Sequence, residues 1–152
     1  EHIRIRGQVL DGEEVPINDA MIEIWQADNK GRYVNADDPA SNTGFTGFGR
    51  FGTGTDAENR FIFDTVKPGS IEAGSAPHIN VIVFMRGMLS HAYTRFYFSD
   101  ETVANEVDPV LNAVPEERRA TLIAERDEEN GDVIYSIDIR MQGDRETVFF
   151  DV

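Results

Sequence analysis

The feature that most constrains this chain is a series of short segments rich in branched and aromatic residues, separated by turn signals. The segments occupy residues 3–6, 21–25, 60–63, 78–85, 94–98, 133–141 and 147–152. Several alternate between apolar and polar side chains, and turn pairs such as Asp11-Gly12 separate them, which is the pattern of β-strands. Because strands are many and helical signals few, the sequence predicts an all-β fold: an antiparallel β-sandwich with long loops and one or two short helices.

Two places carry helix signals, and a third is ambiguous. A short helix is expected over residues 99–105, where Ser and Asp can cap its start. Pro115 precedes two glutamates, an arrangement typical of a first helical turn. Residues 121–126 are interpreted as a strand that Asn130-Gly131 joins to the next strand in a hairpin. A helix continuing to Glu128 is the competing interpretation.

Length, cysteine content and charge narrow the possible functions. With 152 residues the chain is predicted to be one domain, residues 1–152. The absence of cysteine excludes disulfides and thiolate chemistry, and it favours a cytoplasmic location. No segment approaches the about 18 apolar residues of a membrane span. The net charge of -14 disfavours nucleic acid and anionic membranes as partners, so an anionic ligand needs an individual arginine.

The stretch APHIN at residues 76–80 places a histidine and an asparagine two positions apart on a strand. Side chains at such positions project from the same face, so His78 and Asn80 are expected to share one. His78 is either a satisfied core histidine or a metal ligand, and a ferric or zinc site needs three or four ligands. Tyr33 is either a phenolate ligand or an aromatic lid over the edge of the sandwich.

Two arginines flank the central hairpin. Arg86 closes a strand, where it is either an exposed partner of nearby acids or a bidentate anchor for a carboxylate ligand. Arg95 alternates with aromatic residues and is expected in an internal ion pair or at an interface. The phenylalanine-containing connection over residues 34–56 and the aromatic strand 94–98 are interpreted as an apolar surface for a partner.

A set of motifs spanning nearly the whole chain resembles the intradiol ring-cleavage dioxygenases. The motifs are GQVLDG at 7–12, IEIWQAD at 22–28, GFGR at 47–50, TVKPG at 65–69, APHIN at 76–80, FMRG at 84–87, TRFYF at 94–98, DIRMQG at 138–143 and ETVFFD at 146–151. Catalytic members hold ferric iron with two tyrosines and two histidines. The resemblance maps these four ligand positions onto Tyr33, Ile71, His78 and Asn80. An assisting arginine of the iron-bearing relatives is replaced by Ser75.

With two of four ligands replaced, the resemblance implies that this chain does not bind iron by itself. It implies an alpha subunit, paired in a higher hetero-oligomer with a homologous beta subunit that holds Fe(III). The substrates implied are protocatechuate and O2, and the product is 3-carboxy-cis,cis-muconate. Arg86 is the substrate-binding residue that carries over, and no catalytic residue is expected on this chain. The chain begins at Glu1 without a methionine, and the family's N-terminal extension is expected to be missing.

Two other hypotheses compete with the enzyme subunit. One is a non-enzymatic β-sandwich that binds or adheres, which predicts a folded, iron-free monomer indifferent to any partner chain. The other is a self-sufficient metalloenzyme that uses Tyr33, His78 and unmatched ligands. Ile71 and Asn80 make this last hypothesis the weakest of the three. The aliphatic side chain of Ile71 cannot coordinate a metal, and Asn80 stands where a second histidine ligand would be needed.

Overall fold

The computed structural model describes residues 1–34, 45–88 and 90–151. Within them the chain forms mostly strands. The elements are β1 (His2–Leu10), β2 (Met21–Gln26), β3 (Phe48–Gly52), β4 (Arg60–Val66), β5 (His78–Phe84), β6 (Ala92–Phe98), α1 (Thr102–Val107), α2 (Pro109–Asn112), β7 (Ile123–Glu129), β8 (Asp132–Ser136) and β9 (Ile139–Arg140). Two 3₁₀ helices lie at Thr53–Thr55 and Glu116–Leu122.

The strands form one curled sheet that nearly closes on itself. Its order is β3-β2-β5-β6-β7-β8-β1-β4, with β9 also beside β1. The two edge strands approach each other, since the rings of Phe51 on β3 and Phe63 on β4 pack with centroids 6.1 Å apart. Alternate positions of the strands enclose one apolar core that includes Ile5, Ile22 and Phe96. Burial of this core is the main force that holds the curled sheet together.

The all-β prediction is confirmed, but the sheet is mixed where an antiparallel one was predicted. β1 pairs in parallel with β8 and with β9, and β6 pairs in parallel with β7. The β6–β7 pair is possible because residues 99–122 supply a helical crossover, which parallel strands require. Apolar–polar alternation is the same in both pairings, so the sequence pattern could not separate them. A continuous, nearly closed sheet also differs from the two stacked sheets of a sandwich.

Two predicted strands differ from the structure. The run 133–141 divides into β8 and β9, because Ile137 donates its N–H to the Arg6 carbonyl and Asp138 accepts from the Gln8 N–H. Both bonds connect the residues between β8 and β9 to β1. The terminal run forms an isolated bridge between Phe150 and Tyr93 instead of a strand over residues 147–151. The strand β3 was missed, since its glycines weaken the strand pattern.

The predicted hairpin and the helical signals agree better with the structure. β7 and β8 pair antiparallel around Asn130 and Gly131, both at positive φ, so the competing helix to Glu128 is wrong. Helix α1 forms near the predicted place but carries no side-chain cap, and the segment after Pro115 is a 3₁₀ helix. Over the described ranges no helix has the length and apolarity to cross a membrane.

The expectation of an exposed aromatic strand is wrong. Phe96, Tyr97 and Phe98 on β6 are fully buried, two of them in the main core and Tyr97 against α2 and its neighbours. Of the phenylalanines in the preceding long connection, Phe48 is half exposed, whereas Phe51 packs against the core. The aromatic content of β6 therefore stabilises the interior of this chain and offers no surface to a partner.

Candidate functional site

The candidate residues meet on the outer face of β2, β5 and β6, opposite the main core. Trp25 pairs with Asn80, and Asn80 pairs with Arg95, so these three side chains form one row across three strands. His78 and Tyr97 form the neighbouring row. His78 and Asn80 thus share a face, as the spacing predicts.

A surface cavity of about 570 Å³ opens over the Trp25–Asn80–Arg95 row. This volume is within the usual range for a small-molecule site. The Arg95 cavity is lined by Trp25, Tyr33, Asn80, Val81, Ile82, Tyr93, Thr94, Arg95, Val110 and Phe150. It therefore brings together two of the four residues that the sequence predicts at ligand positions, Tyr33 and Asn80. His78, Ile71 and Arg86 are not among its lining residues.

His78 is a core histidine with one nitrogen satisfied. Its side chain is buried, and Nδ1 lies 2.9 Å from the Ala76 carbonyl, which can only accept, so Nδ1 carries the proton. Nε2 is also buried, and it has no hydrogen-bond partner among the residues that the structure describes. Burial lowers the pKa of His78, and the positive charge of Arg95 lowers it further. The hydrogen bond to the Ala76 carbonyl raises the pKa but does not outweigh these two effects. The ring is therefore neutral at pH 7.

Beneath His78 a buried carboxylate holds the helical side of the site together. Asp108 is 1 % exposed and accepts from the N–H of Ala76 at 2.8 Å, the N–H of Leu111 at 2.9 Å and the hydroxyl of Tyr97 at 3.1 Å. Burial alone would raise the pKa of Asp108, but these donors hold it below its usual range. Burial raises the pKa of Tyr97 to about 12, so its hydroxyl stays protonated and donates.

The role of Asp108 was not predicted from the sequence, although one signal was present. An aspartate directly before a proline fits an N-cap followed by proline at the first helical position. The structure shows this arrangement, with Asp108 capping α2 and Pro109 beginning it. The contact with Ala76 spans 32 residues, which local pattern cannot predict.

The residues at the family ligand positions do not fit an iron ion. The Tyr33 hydroxyl accepts from Asn80 Nδ2 at 3.0 Å, and the Tyr33 ring packs edge-on against Trp25. Ile71 is aliphatic and 40 % exposed. One phenol and one imidazole are too few donors, and the guanidinium of Arg95 beside Asn80 repels a cation. Among the described residues no group of three or more His, Asp or Glu is placed to hold a metal ion.

Arg95 lines the cavity with little to balance its charge. Its Nη1 donates to the Tyr97 hydroxyl at 3.3 Å. In residues 1–34, 45–88 and 90–151, Arg95 and Arg119 are the arginines that have no carboxylate within 4.0 Å. Within these residues Arg95 therefore forms no ion pair, and the alternative of an interface stays a prediction.

Arg86 lies in the turn after β5, away from the cavity. Its side chain is 89 % exposed, and its Nε is 3.6 Å from Asp19 Oδ2, a loose surface contact. It is six positions from Asn80 along an extended segment, about 20 Å at the usual rise per residue. Arg86 can therefore serve a site on another molecule without competing with the Arg95 cavity.

Comparison with known proteins identifies the family. The family described as Dioxygenase matches residues 1–143, and the chain belongs to it, as the motifs predict. The chain is 58% identical over 153 residues to the protocatechuate 3,4-dioxygenase alpha chain of Burkholderia cepacia, spanning 100% of this chain and 78% of that protein. It is 33% identical to the protocatechuate 3,4-dioxygenase beta chain of the same organism, spanning 94% of this chain and 65% of that one.

A solved structure supports the same fold. The intradiol ring-cleavage dioxygenase from Tetranychus urticae superposes with a TM-score of 0.71 at 17% identity, covering 91% of this chain and 79% of that one. At that identity the likeness shows the fold alone.

Proposed function

We propose that this chain is the iron-free subunit of a protocatechuate 3,4-dioxygenase and completes the active site of an iron-bearing beta-type subunit. The observation that carries the proposal is the 58% identity with an alpha chain of that enzyme across the whole of this chain. The weaker, 33% match to a beta chain is what two homologous but specialised subunits would give. The non-enzymatic binding module has no comparable observation in its favour.

The ligand positions support a division of labour between the two subunits. This chain keeps a phenol at Tyr33 but has Ile71 and Asn80 where family members use a second tyrosine and a second histidine. When bound in the partner, Fe(III) supplies activation of the catecholate towards O2. This chain then contributes orientation and charge, and the cytoplasm, suggested by the lack of cysteine, is the expected location.

Arg86 is the residue proposed to contact the substrate. It is an exposed guanidinium at the tip of a hairpin, and its one described acidic neighbour, Asp19, is 3.6 Å away. A guanidinium matches a carboxylate bidentately, and protocatechuate carries a carboxylate. Arg86 would hold that end of the ring while the partner's metal engages the hydroxyl end.

The test compares substrates with and without the carboxylate in the co-expressed complex. A charged hydrogen-bonded pair contributes about 1.5–3 kcal/mol, so Arg86→Ala should raise KM for protocatechuate about 10- to 100-fold. KM for catechol and the iron content should stay at the parent values, because neither depends on the carboxylate contact. Arg86→Lys should recover part of the loss.

Arg145→Ala is the matched control, since Arg145 is also an exposed arginine, 67% accessible and paired with Glu14. It should change neither substrate's KM. Equal protocatechuate affinity in Arg86→Ala and parent complexes would rule out the contact. Equal loss for protocatechuate and catechol would instead indicate damage to the assembly.

A further inference from the structure

We propose that the Arg95 cavity is a second, metal-independent site, which binds a small planar aromatic carboxylate. The proposal goes beyond the function above, because it concerns a cavity of this chain and not the partner's iron site. Its starting point is the charge of Arg95. On a chain of net charge -14, this guanidinium has no carboxylate within 4.0 Å among the described residues.

Arg119 shows that the position of Arg95 is unusual. Arg119 also has no carboxylate partner in the described part of the chain, but it donates to the backbone carbonyls of Val114 and Asn112 at 2.9 Å and 3.1 Å. Among the residues that the structure describes, the side chain of Arg95 has one hydrogen-bond partner, the Tyr97 hydroxyl, which already donates its proton to Asp108. As far as the described residues go, most of the five N–H donors of the Arg95 guanidinium are thus available to an anionic ligand.

The guanidinium is held in place before any ligand binds. Arg95 projects from the middle of β6, where Asn80 is its neighbour on β5. Its Nη1 is fixed by Tyr97, and Tyr97 is fixed by the buried Asp108. Preorganised donors bind an anion more strongly than mobile ones, because less side-chain freedom is lost on binding.

The walls of the cavity suit a flat, apolar ring. Trp25 and Tyr33 pack edge-on at 6.2 Å, and Tyr93 and Phe150 line the cavity together with Val110. Trp25 is 57% exposed, so much of its apolar ring is open to solvent. A bound aromatic ring would cover it by offset or edge-to-face packing.

The chemistry of the cavity selects one class of ligand. Arg95 favours an anion and excludes metal cations, while the aromatic walls favour a ring over a polar ion such as phosphate. The amide of Asn80 and the hydroxyl of Tyr33 offer a second polar contact for a ring substituent. A single-ring carboxylate satisfies all three features, and the cavity of about 570 Å³ has room for it.

The experiment counts binding sites for 4-bromobenzoate on the complex of this chain with its partner. The probe lacks adjacent hydroxyls, so it cannot bind iron as a catecholate does. Calorimetric titration should detect a site whose Kd rises at least tenfold in Arg95→Met and less in Arg95→Lys. Arg86→Ala should leave the Kd of the Arg95 cavity unchanged, because Arg86 belongs to the proposed substrate site at the partner's iron. The two variants therefore distinguish loss of binding at the Arg95 cavity from loss of binding at the substrate site. Arg145→Met, a distant surface arginine, is the matched control.

Diffraction from the unaltered complex locates the probe, which keeps the test decisive if Arg95→Met does not assemble. The proposal expects the anomalous signal of bromine between Trp25 and Arg95. Bromine found only at the partner's iron site would overturn it. Bromine in the cavity would also overturn the proposal if the Kd in solution were the same for the parent and Arg95→Met complexes. That result would mean binding at crystal concentration only.

Discussion

Replacing Asp108 by alanine should be one of the most damaging single changes in the chain. The carboxylate is buried and accepts from Ala76, Leu111 and Tyr97 at 2.8–3.1 Å. Asp108→Ala leaves two backbone N–H groups and one hydroxyl without an acceptor. Each orphaned buried donor costs about 1–3 kcal/mol. Because removing the charge also relieves its desolvation, we expect a net loss of about 3–5 kcal/mol in the free energy of unfolding.

Asp108→Asn separates geometry from charge. The amide retains one acceptor oxygen and should cost about half as much as alanine. Burial opposes ionisation, but the donors prevail and the folded pKa lies below the unfolded value, so ionised Asp108 stabilises the fold above the unfolded pKa of about 4. That contribution is lost as the pH falls through the folded pKa. The parent should therefore lose stability on acidification below about pH 4 more steeply than Asp108→Asn.

The assay is urea unfolding of the purified chain, followed by far-ultraviolet circular dichroism, with thermal melts alongside. For a chain of this size each kcal/mol corresponds to about 2–4 °C, so Asp108→Ala should melt about 10 °C lower. Asp64→Ala, at an exposed aspartate paired with Arg4, is the control and should stay within about 0.5 kcal/mol. A loss below about 1 kcal/mol for Asp108→Ala would refute the role of Asp108 as a buried carboxylate that joins Ala76, just before β5, and Tyr97 of β6 to α2.

Two further predictions concern stability. Burial lowers the pKa of His78 in the folded state, so the neutral ring stabilises the fold above the unfolded pKa of about 6.5, and stability falls as the pH drops below that value. In His78→Leu the urea midpoint should therefore depend less on pH between pH 7.5 and 5 than in the parent. The same pH dependence in both proteins would contradict the assignment of a buried, neutral His78. A Cβ at Gly7 would collide with the Ile137 carbonyl, so Gly7→Ala should cost about 3 kcal/mol or more, whereas Gly52→Ala, with no atom within 4 Å of its Cβ, should be nearly neutral in the same assay.

Local signals predicted the parts of the fold that local chemistry determines. Asn130 and Gly131 specify their hairpin because both adopt positive φ, as the tight turn requires. The alternation in β5 and β6 was enough to place His78 and Asn80 on one face. The parallel pairs of β1 were not predictable, because the choice of neighbour is made by contacts over more than 100 residues, as between Arg4 and Ile134.

The sequence was enough to single out candidate residues of the site, but not to predict the contacts that they make. The motifs indicated Tyr33, Ile71, His78 and Asn80 as the four ligand positions, of which Ile71 and Asn80 are altered, and family membership is confirmed. They did not show that Tyr33 bonds to Asn80, nor that Arg95 faces the cavity beside them. Those facts depend on β-strand register and on Asp108, whose donors come from three separate parts of the chain.

Iron content per chain is the measurement that decides whether this chain is an iron-free subunit whose partner holds the metal. The chain is expressed alone and together with a beta-type partner, and iron is measured by elemental analysis with the phenolate-to-ferric absorption as a second readout. The account predicts iron and colour only in the complex, in a ratio of one iron per partner chain. Stoichiometric iron in the chain expressed alone would contradict it, and would mean that Tyr33 and His78 belong to a working metal site.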